Sequence, residues 1–294
     1  MEGEAHHSEV ELLQEWQRAG FHLDTDTWVI LAPAGECVTD QSIVGYQEGW
    51  LRVEHGILSG DGYVHPDYNG RGIGTAMLQL LEGRARQLVE RAGPGKRLII
   101  RNGVDGQDAA ACELHENAGY QAARFFWHMG IKLDQAPSPT PPPDGLLIRP
   151  FKPGQDERNV FEAMLEAFSD HWGYIPPDFD SWQQHTVLTK GFNPNLYLLA
   201  TDGDQVVGAA LCQQLDHLIG WISQLGVRPA WRRQGLGQAL LKSAFTTFYQ
   251  SGITTVRLSV DAENPNRATD LYEKAGMIPV HRFIVYEKIV CFEG

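Results

Sequence analysis

No stretch of this chain approaches the roughly 18 consecutive apolar residues that a membrane-spanning helix needs. Its start, residues 1–11, is polar and lacks the apolar core of a secretion signal. Cysteine is scarce: Cys37, Cys112, Cys212 and Cys291 stand far apart, and no C-x-x-C spacing occurs. That speaks against a disulfide framework or a zinc site, and suits small buried thiols in a reducing cytosol. His6-His7 is too short to read as a tag or a metal ligand pair. Basic side chains are in deficit, 24 against 37 acidic, for a net charge of −13. A nucleic-acid or anionic-membrane binder needs a basic field that this balance does not supply. The expectation is a cytoplasmic protein with no metal, no nucleic-acid partner and no membrane, its acidity mildly favouring a cationic substrate.

What the chain does contain is a repeated phrase. Residues 219–227 are strand-like and apolar, and lead into Arg232, Arg233, Gln234, Gly235, Leu236, Gly237 and Gln238; Leu236, Leu240, Ala244 and Phe248 follow at helical spacing. A strand, a basic glycine turn and a helix start form a pyrophosphate cradle: glycine admits close approach, and successive N–H groups at a helix N-terminus attract an anion. The same phrase occurs earlier as Val64, then Asn69, Gly70, Arg71, Gly72, Ile73 and Gly74. A second matching pair follows, residues 113–120 (ELHENAGY) and 270–277 (DLYEKAGM). Gly74 and Gly119 are 45 positions apart, Gly237 and Gly276 are 39 apart, so one domain has been duplicated with a small insertion. A length of 294 residues suits about two domains, each with its own core.

Along the first half the pattern predicts a helix over 10–19, strands over 27–32 and 42–53 (the latter broken by Gly45 and Gly49), and a strand near 62–64. A helix over 72–91, a strand over 97–101, a helix over 109–118 closed by Gly119 and a strand region over 122–133 complete it. Residues 134–145, DQAPSPTPPPDG, form a semi-rigid proline-rich linker. The second half reads as a strand over 146–149, helices over 155–168 and 179–189, and strands over 196–201 and 205–213 joined by an Asp-Gly-Asp turn. After the cradle helix come a strand over 255–260, with Val256, Leu258 and Val260 on one face, a helix over 267–275 capped by Gly276, and a last strand over 278–290. The first half has nothing matching 146–168 and reads as a shortened copy. The domains expected are 1–133 and 146–294, joined by 134–145.

Arg232-x-x-Gly235-x-Gly237, followed by Asn264, Ala268, Leu271-Tyr272-Glu273 and Gly276-Met277, resembles the motif set of the GNAT superfamily of N-acyltransferases. The tandem layout and Asp170-His171-Trp172-Gly173 are similar to mycothiol synthase-type tandem acetyltransferases. The resemblance covers nearly all of the second half and, more weakly, most of the first. It implies an α/β (α+β) fold of two tandem GNAT domains, each a mixed, mostly antiparallel twisted sheet flanked by helices and splayed between its fourth and fifth strands. Acetyl-CoA is the implied co-substrate. The backbone of Leu225, Gly226 and Val227 would pair with the pantetheine arm, and Arg232 to Gln238 would hold the pyrophosphate with side-chain charge assisting. Asn264, Asn266 and Ala268 would line the arm. Tyr272 would protonate the leaving thiolate, its alternative being a core tyrosine.

Many family members use a glutamate on the fourth strand as base. Trp221, Ile222, Ser223 and Gln224 occupy that strand here without a carboxylate, leaving Asp170, His171, Asp216, His217 or a water chain as candidates. Asp170, His171, Trp172 and Tyr174 lie where relatives shape the acceptor pocket; Trp172 and Tyr174 could equally pack two helices together. In the first half Asn69 replaces the arginine, His115 the tyrosine, and Gln107-Asp108-Ala109 the Asn-Pro-Asn of the second. That half is read as catalytically silent. It would be either a second CoA site at Val64, Asn69, Gly70, Arg71, Gly72, Ile73 and Gly74 or a wall of the acceptor site, with His115 a packing residue or, as the alternative, an acid. The leading reading is an acetyl-CoA-dependent N-acetyltransferase for a small primary amine, monomeric or homodimeric. A CoA-binding scaffold without turnover and a protein acetyltransferase are the alternatives.

Overall fold

The computed structural model of the protein describes residues 20–32, 43–93, 95–189, 191–215 and 218–291, with Leu13 and Trp16. The expected helix over 10–19 (apart from those two residues), Cys37, Asp216 and His217 lie outside the described residues. Among the described residues no helix is long and apolar enough to cross a membrane. The chain forms two compact units, Met1–Arg124 with Phe283–Gly294, and Phe125–Arg282.

In the first unit, β1 (Thr27–Leu31), β2 (Ile43–Arg52) and β3 (Ile57–Val64) pair antiparallel in turn. Next, β3 pairs parallel with β4 (Arg97–Asp105), and the last residues of the chain's final strand, from Phe283 to Cys291, pair antiparallel with β4. The short α1 (Leu23–Asp26), the long α2 (Ile73–Ala92) and α3 (Ala109–Asn117) complete the unit. The glycines expected to break β2 do not. An added Cβ at Gly45 would meet Ile73 Cγ2 at 2.8 Å, and one at Gly49 would meet Leu81 Cδ1 at 2.6 Å. They are bare so that α2 can lie close on an unbroken strand.

In the second unit, β6 (Leu146–Pro150), β7 (Tyr197–Asp202), β8 (Gln205–Gln214) and β9 (Ile219–Val227) pair antiparallel in succession. Strand β10 (Thr255–Asp261) is parallel to β9 and antiparallel to residues 126–132 of β5 (Gln121–Lys132). Thus residues from the first repeat finish this sheet. One face carries α4 (Glu157–Phe168) and α5 (Phe179–His185), the other α6 (Leu236–Gln250) and α7 (Ala268–Lys274). The final strand, β11, spans Ile278–Cys291. The helix expected over 179–189 stops at His185, because Thr186 leaves helical geometry and its hydroxyl donates back to the Trp182 carbonyl at 2.6 Å.

Two cores hold the second sheet. Leu236, Leu240, Leu241, Ala244, Phe245 and Phe248 bury the inner face of α6 against Val256, Leu258 and Val260. Each such Leu or Phe contributes about 1.5–3 kcal/mol by leaving water. On the opposite face Val160, Phe161, Ala163, Met164 and Ala167 of α4 cover Leu199, Ala209 and Leu211. Gly226 lets that helix approach, since a Cβ there would meet Ala167 Cβ at 2.9 Å.

Candidate active site

Pairing between β9 and β10 runs only from Ile219↔Thr255 to Ile222↔Leu258, although β9 continues to Val227 and β10 to Asp261. Beyond that point the two strands part. The β8–β9 register explains why: Leu211 faces Gln224 while Cys212 faces Ile222, leaving Ser223 as an extra residue. Such a bulge bends its strand and sharpens its twist. The edge of Leu225 and Gly226 is therefore left facing a cleft in which an extended amide-bearing arm could add as a strand. The Val227 carbonyl accepts from Arg232 Nε at 3.0 Å. Gln224 Oε1, on the α4 side of the cleft, is buried with no hydrogen-bond partner among the described residues. A buried orphan acceptor costs about 1–3 kcal/mol, a penalty that a ligand N–H would relieve.

The cradle follows directly. Gly235 caps α6 in the left-handed region (φ +89°) and offers no side-chain oxygen, and Arg233 is also left-handed (φ +61°). The first N–H groups of a helix have no partner inside it, and the first turn-closing bond here is Ala239 N–H to the Gly235 carbonyl. The amides of Leu236, Gly237 and Gln238 are thus presented to an anion, as the turn demands. A Cβ at Gly237 would meet nothing closer than Leu271 Cδ2 at 3.4 Å. Its bareness is not needed for packing, which leaves close approach of a ligand as its physical reason. In the first unit Gly70 and Gly72 take the same left-handed turn (φ +75° and +78°). At Gly74, however, a Cβ would meet Leu114 Cδ2 at 2.8 Å. That glycine already has a packing reason.

Arg232 departs from the expectation that its charge faces phosphate. Nε donates to Val227 O at 3.0 Å, Nη1 to Asp170 Oδ2 at 2.6 Å and Asn266 Oδ1 at 3.2 Å, and Nη2 to Ala167 O at 2.8 Å and Asp170 Oδ1 at 3.4 Å. A guanidinium has five N–H donors, so these contacts leave none for a ligand. Arg232 instead ties the end of β9, the end of α4 and the loop after β10 together. The cation left for an anion is Arg233, which is exposed and makes no hydrogen bond or ion pair to any described residue.

Asn264 and Asn266 belong to the same network. Asn266 Nδ2 donates to Asp170 Oδ2 at 3.1 Å, its backbone N–H donates to Asn264 Oδ1 at 2.8 Å, and Asn264 Nδ2 lies 3.3 Å from His171 Nε2. His171 Nδ1 is 3.3 Å from Asp170 Oδ1 but outside hydrogen-bond geometry. The Arg232 guanidinium, with Asn266 assisting against partial desolvation, holds the Asp170 carboxyl down to about 2. So weak a base is poorly suited to take a proton from an amine. The depressed value also has a stability consequence. The unfolded carboxylate is protonated first as the pH falls, so Asp170 contributes stability above about pH 4 and loses it as the pH falls toward 2. Denaturant titrations at pH 5, 3.5 and 2 should show that Asp170→Asn flattens this loss relative to the wild type.

Tyr272 lies on α7 with its side chain in the α6 core, fixed by Met277 N–H bonding the Tyr272 carbonyl at 3.0 Å beyond left-handed Gly276. Its hydroxyl makes no hydrogen bond to any described residue, and burial pushes its phenol well above the ordinary tyrosine range. Leu271 beside it is the residue that approaches Gly237. Ala268 packs on the same core. His115 holds the matching place in the first unit, with Tyr120 N–H bonding its carbonyl at 3.0 Å. There both ring nitrogens are engaged, Nδ1 with the Ala111 carbonyl at 2.8 Å and Nε2 with Asn102 Nδ2 at 3.0 Å, and the ring stacks on Tyr286. Burial lowers its pKa, so the imidazole is neutral.

The aromatics of the loop over 170–174 divide between two surfaces. Tyr174 lies 6.1 Å from the Phe168 ring of α4, and Trp172 lies 6.4 Å from Phe126 of β5. Sequence reasoning did not connect β5 with this site, nor single out His128 on it, whose ring stands edge-on to Trp221 at 5.2 Å. Gln224 was noted only as a missing carboxylate.

Comparison with known proteins matches residues 2–120 and 159–277 to the family described as Acetyltransferase (GNAT) family. A protein named mycothiol acetyltransferase from Thermobispora bispora is 31% identical over 74% of this chain and 72% of its own. Another of that name, from Actinosynnema mirum, is 28% identical over 84% and 86%. Among solved structures, a GCN5-related N-acetyltransferase from Sphaerobacter thermophilus superposes with a TM-score of 0.77 at 34% identity, covering 96% of this chain and 87% of that one. A tandem GNAT protein from the clavulanic acid biosynthesis pathway shares the fold, with a TM-score of 0.65 at 16% identity over 90% and 83%.

Proposed function

The chain belongs to the acetyltransferase (GNAT) family, and we propose that its second repeat, 146–294, is the catalytic copy. It transfers acetyl from acetyl-CoA to the primary amine of a small molecule by direct attack, without an acyl-enzyme. One contrast carries this assignment: the Tyr272 hydroxyl has no described partner, whereas both nitrogens of His115 are engaged. A phenol kept protonated by burial can give its proton to a departing thiolate; a neutral, doubly bonded imidazole cannot.

The geometry supports these roles. The edge of Leu225 and Gly226 takes the pantetheine amides, and the backbone N–H groups from Arg233 to Gln238 take the pyrophosphate, with Arg233 supplying side-chain charge. Arg232, Asn264 and Asn266 hold the cleft's rim in shape rather than touching phosphate. Trp172 borders the acceptor space, and relatives named mycothiol acetyltransferase favour a small-molecule acceptor over a protein one. The first repeat, 1–133, keeps the left-handed turn at Gly70 and Gly72, with Gly74 in the first turn of the helix that follows, and is proposed as a silent copy able to hold CoA.

The test is release of free thiol from acetyl-CoA in the presence of a panel of small amines: amino acids, polyamines, aminoglycosides and amino sugars. Amine-dependent thiol release with one acetylated product per thiol is the expected result. Tight acetyl-CoA binding with no amine accepted, a lysine-bearing peptide included, would favour a scaffold that binds CoA without turnover.

A further inference from the structure

We infer that His128, on the strand that the first repeat supplies to the second unit, accepts the proton of the attacking amine; this rests on the transferase reading above. His128 pairs directly with Ser259 across the antiparallel β5–β10 ladder, and residues so paired share a face. The last β9–β10 pair is Ile222↔Leu258. Ser259, and with it His128, therefore sits one residue beyond the point where the cleft opens.

The face is fixed independently. Met129 and Leu258 enter the α6 core, and an added Cβ at Gly220 would strike Phe248 of α6 at 2.5 Å, so Trp221 and His128 face the other way. Their rings meet edge-on at 5.2 Å. Phe126, two residues before His128 on the same face, meets Trp172 of the acceptor loop at 6.4 Å. The half-buried imidazole thus borders both the mouth of the cleft and the acceptor wall. A thioester held along Leu225 and Gly226 and an amine held beside Trp172 would meet there.

The strand that supplies the base in many relatives has none to offer here. Trp221, Ser223 and Gln224 of β9 carry no titratable group, and Arg232 keeps Asp170 a weak base. The charged and titratable groups turned toward this face are Arg257 and Asp261 of β10, and Asp170, His171 and Tyr174 of the loop; the titratable neighbours on β11 are His281 and Arg282, the latter over the Phe125 ring at 5.5 Å. In the step itself the amine nitrogen bonds to the acetyl carbon and the carbon–sulfur bond breaks. One amine proton passes to the His128 imidazole and then to water, while the Tyr272 phenol gives its proton to the thiolate and regains one from solvent. A neutral imidazole carries a lone pair on one ring nitrogen, which suits it to accept a proton.

The experiment is the pH dependence of kcat/KM for wild type and His128→Gln with the best amine of the panel, with acetyl-CoA affinity measured by calorimetry on both. His128→Gln should lose about 100- to 1,000-fold in kcat/KM and lose the acidic limb of the profile, with acetyl-CoA affinity unchanged. A variant that keeps the wild-type rate and limb overturns the role. So does one that loses acetyl-CoA binding together with activity, which marks a structural residue. A wild type that acetylates no amine removes the transferase reading and this one with it.

Discussion

Gly237→Glu should weaken acetyl-CoA binding to the second unit by about 100-fold or more, roughly 2.7 kcal/mol, while leaving the protein folded. The position is backbone-tolerant, because Gly237 does not use the left-handed region and its added Cβ meets only ordinary contacts with Leu271 and Val227. Moving from glycine to a better helix former near the start of α6 adds a few tenths of a kcal/mol to 1 kcal/mol of stability. A carboxylate in a helix's first turn adds about 0.3–1 kcal/mol more. Those same features defeat the ligand: the new carboxylate occupies the anion's place and repels it. Calorimetric titration with acetyl-CoA, alongside thermal unfolding, checks both halves. A melting temperature at or above wild type with binding gone is the expected pair. A weaker event that persists in Gly237→Glu and disappears in a Gly237→Glu/Arg71→Glu double variant, which changes an exposed side chain rather than the packed Gly74, would assign CoA to the first unit as well. Undiminished tight binding in Gly237→Glu would remove the cradle from the site.

Much of this could be read from the chain because it is written locally. The cradles depend on glycines a few residues apart, and the helix closures at Gly119 and Gly276 on one left-handed residue each, so their outlines were visible in one dimension. The duplication made each half a check on the other. Arg232 shows where local reading stops. Motif position placed its charge on phosphate, but its partners Asp170 and Ala167 lie more than 60 positions away, and only the fold brings them under the guanidinium. The bulge at Ser223 has no sequence signature, yet it sets the cleft and turns Gln224 to the α4 side. Gly45 and Gly49 look like strand breakers until α2 is laid on them. His128 was invisible for a topological reason: it belongs by sequence to the first repeat and by pairing to the second unit's sheet.

Tyr272→Phe should lower kcat by about 100-fold and leave the KM for acetyl-CoA within a factor of two. The substitution removes only an oxygen that has no described hydrogen-bond partner, so the α6 core and the Met277–Tyr272 backbone bond that positions α7 should survive. Loss in kcat without loss in binding marks an interaction made chiefly in the transition state. The pH behaviour gives a second reading. Burial raises the Tyr272 phenol above its ordinary value, so it stays protonated across the working range, and no alkaline limb from this group should appear below about pH 10. The same shift acts on stability. With the folded pKa above the unfolded one, the contribution is fully present below about pH 10 and falls as the pH rises through the folded value, since only the unfolded chain releases the proton readily. Tyr272→Phe should therefore shed one tyrosine's share of the alkaline loss of stability while losing turnover. If kcat were unchanged for every amine accepted, the tyrosine would be a core residue only. The thiolate would then leave unprotonated or with a proton from water, and the contrast with His115 would no longer say which repeat is catalytic.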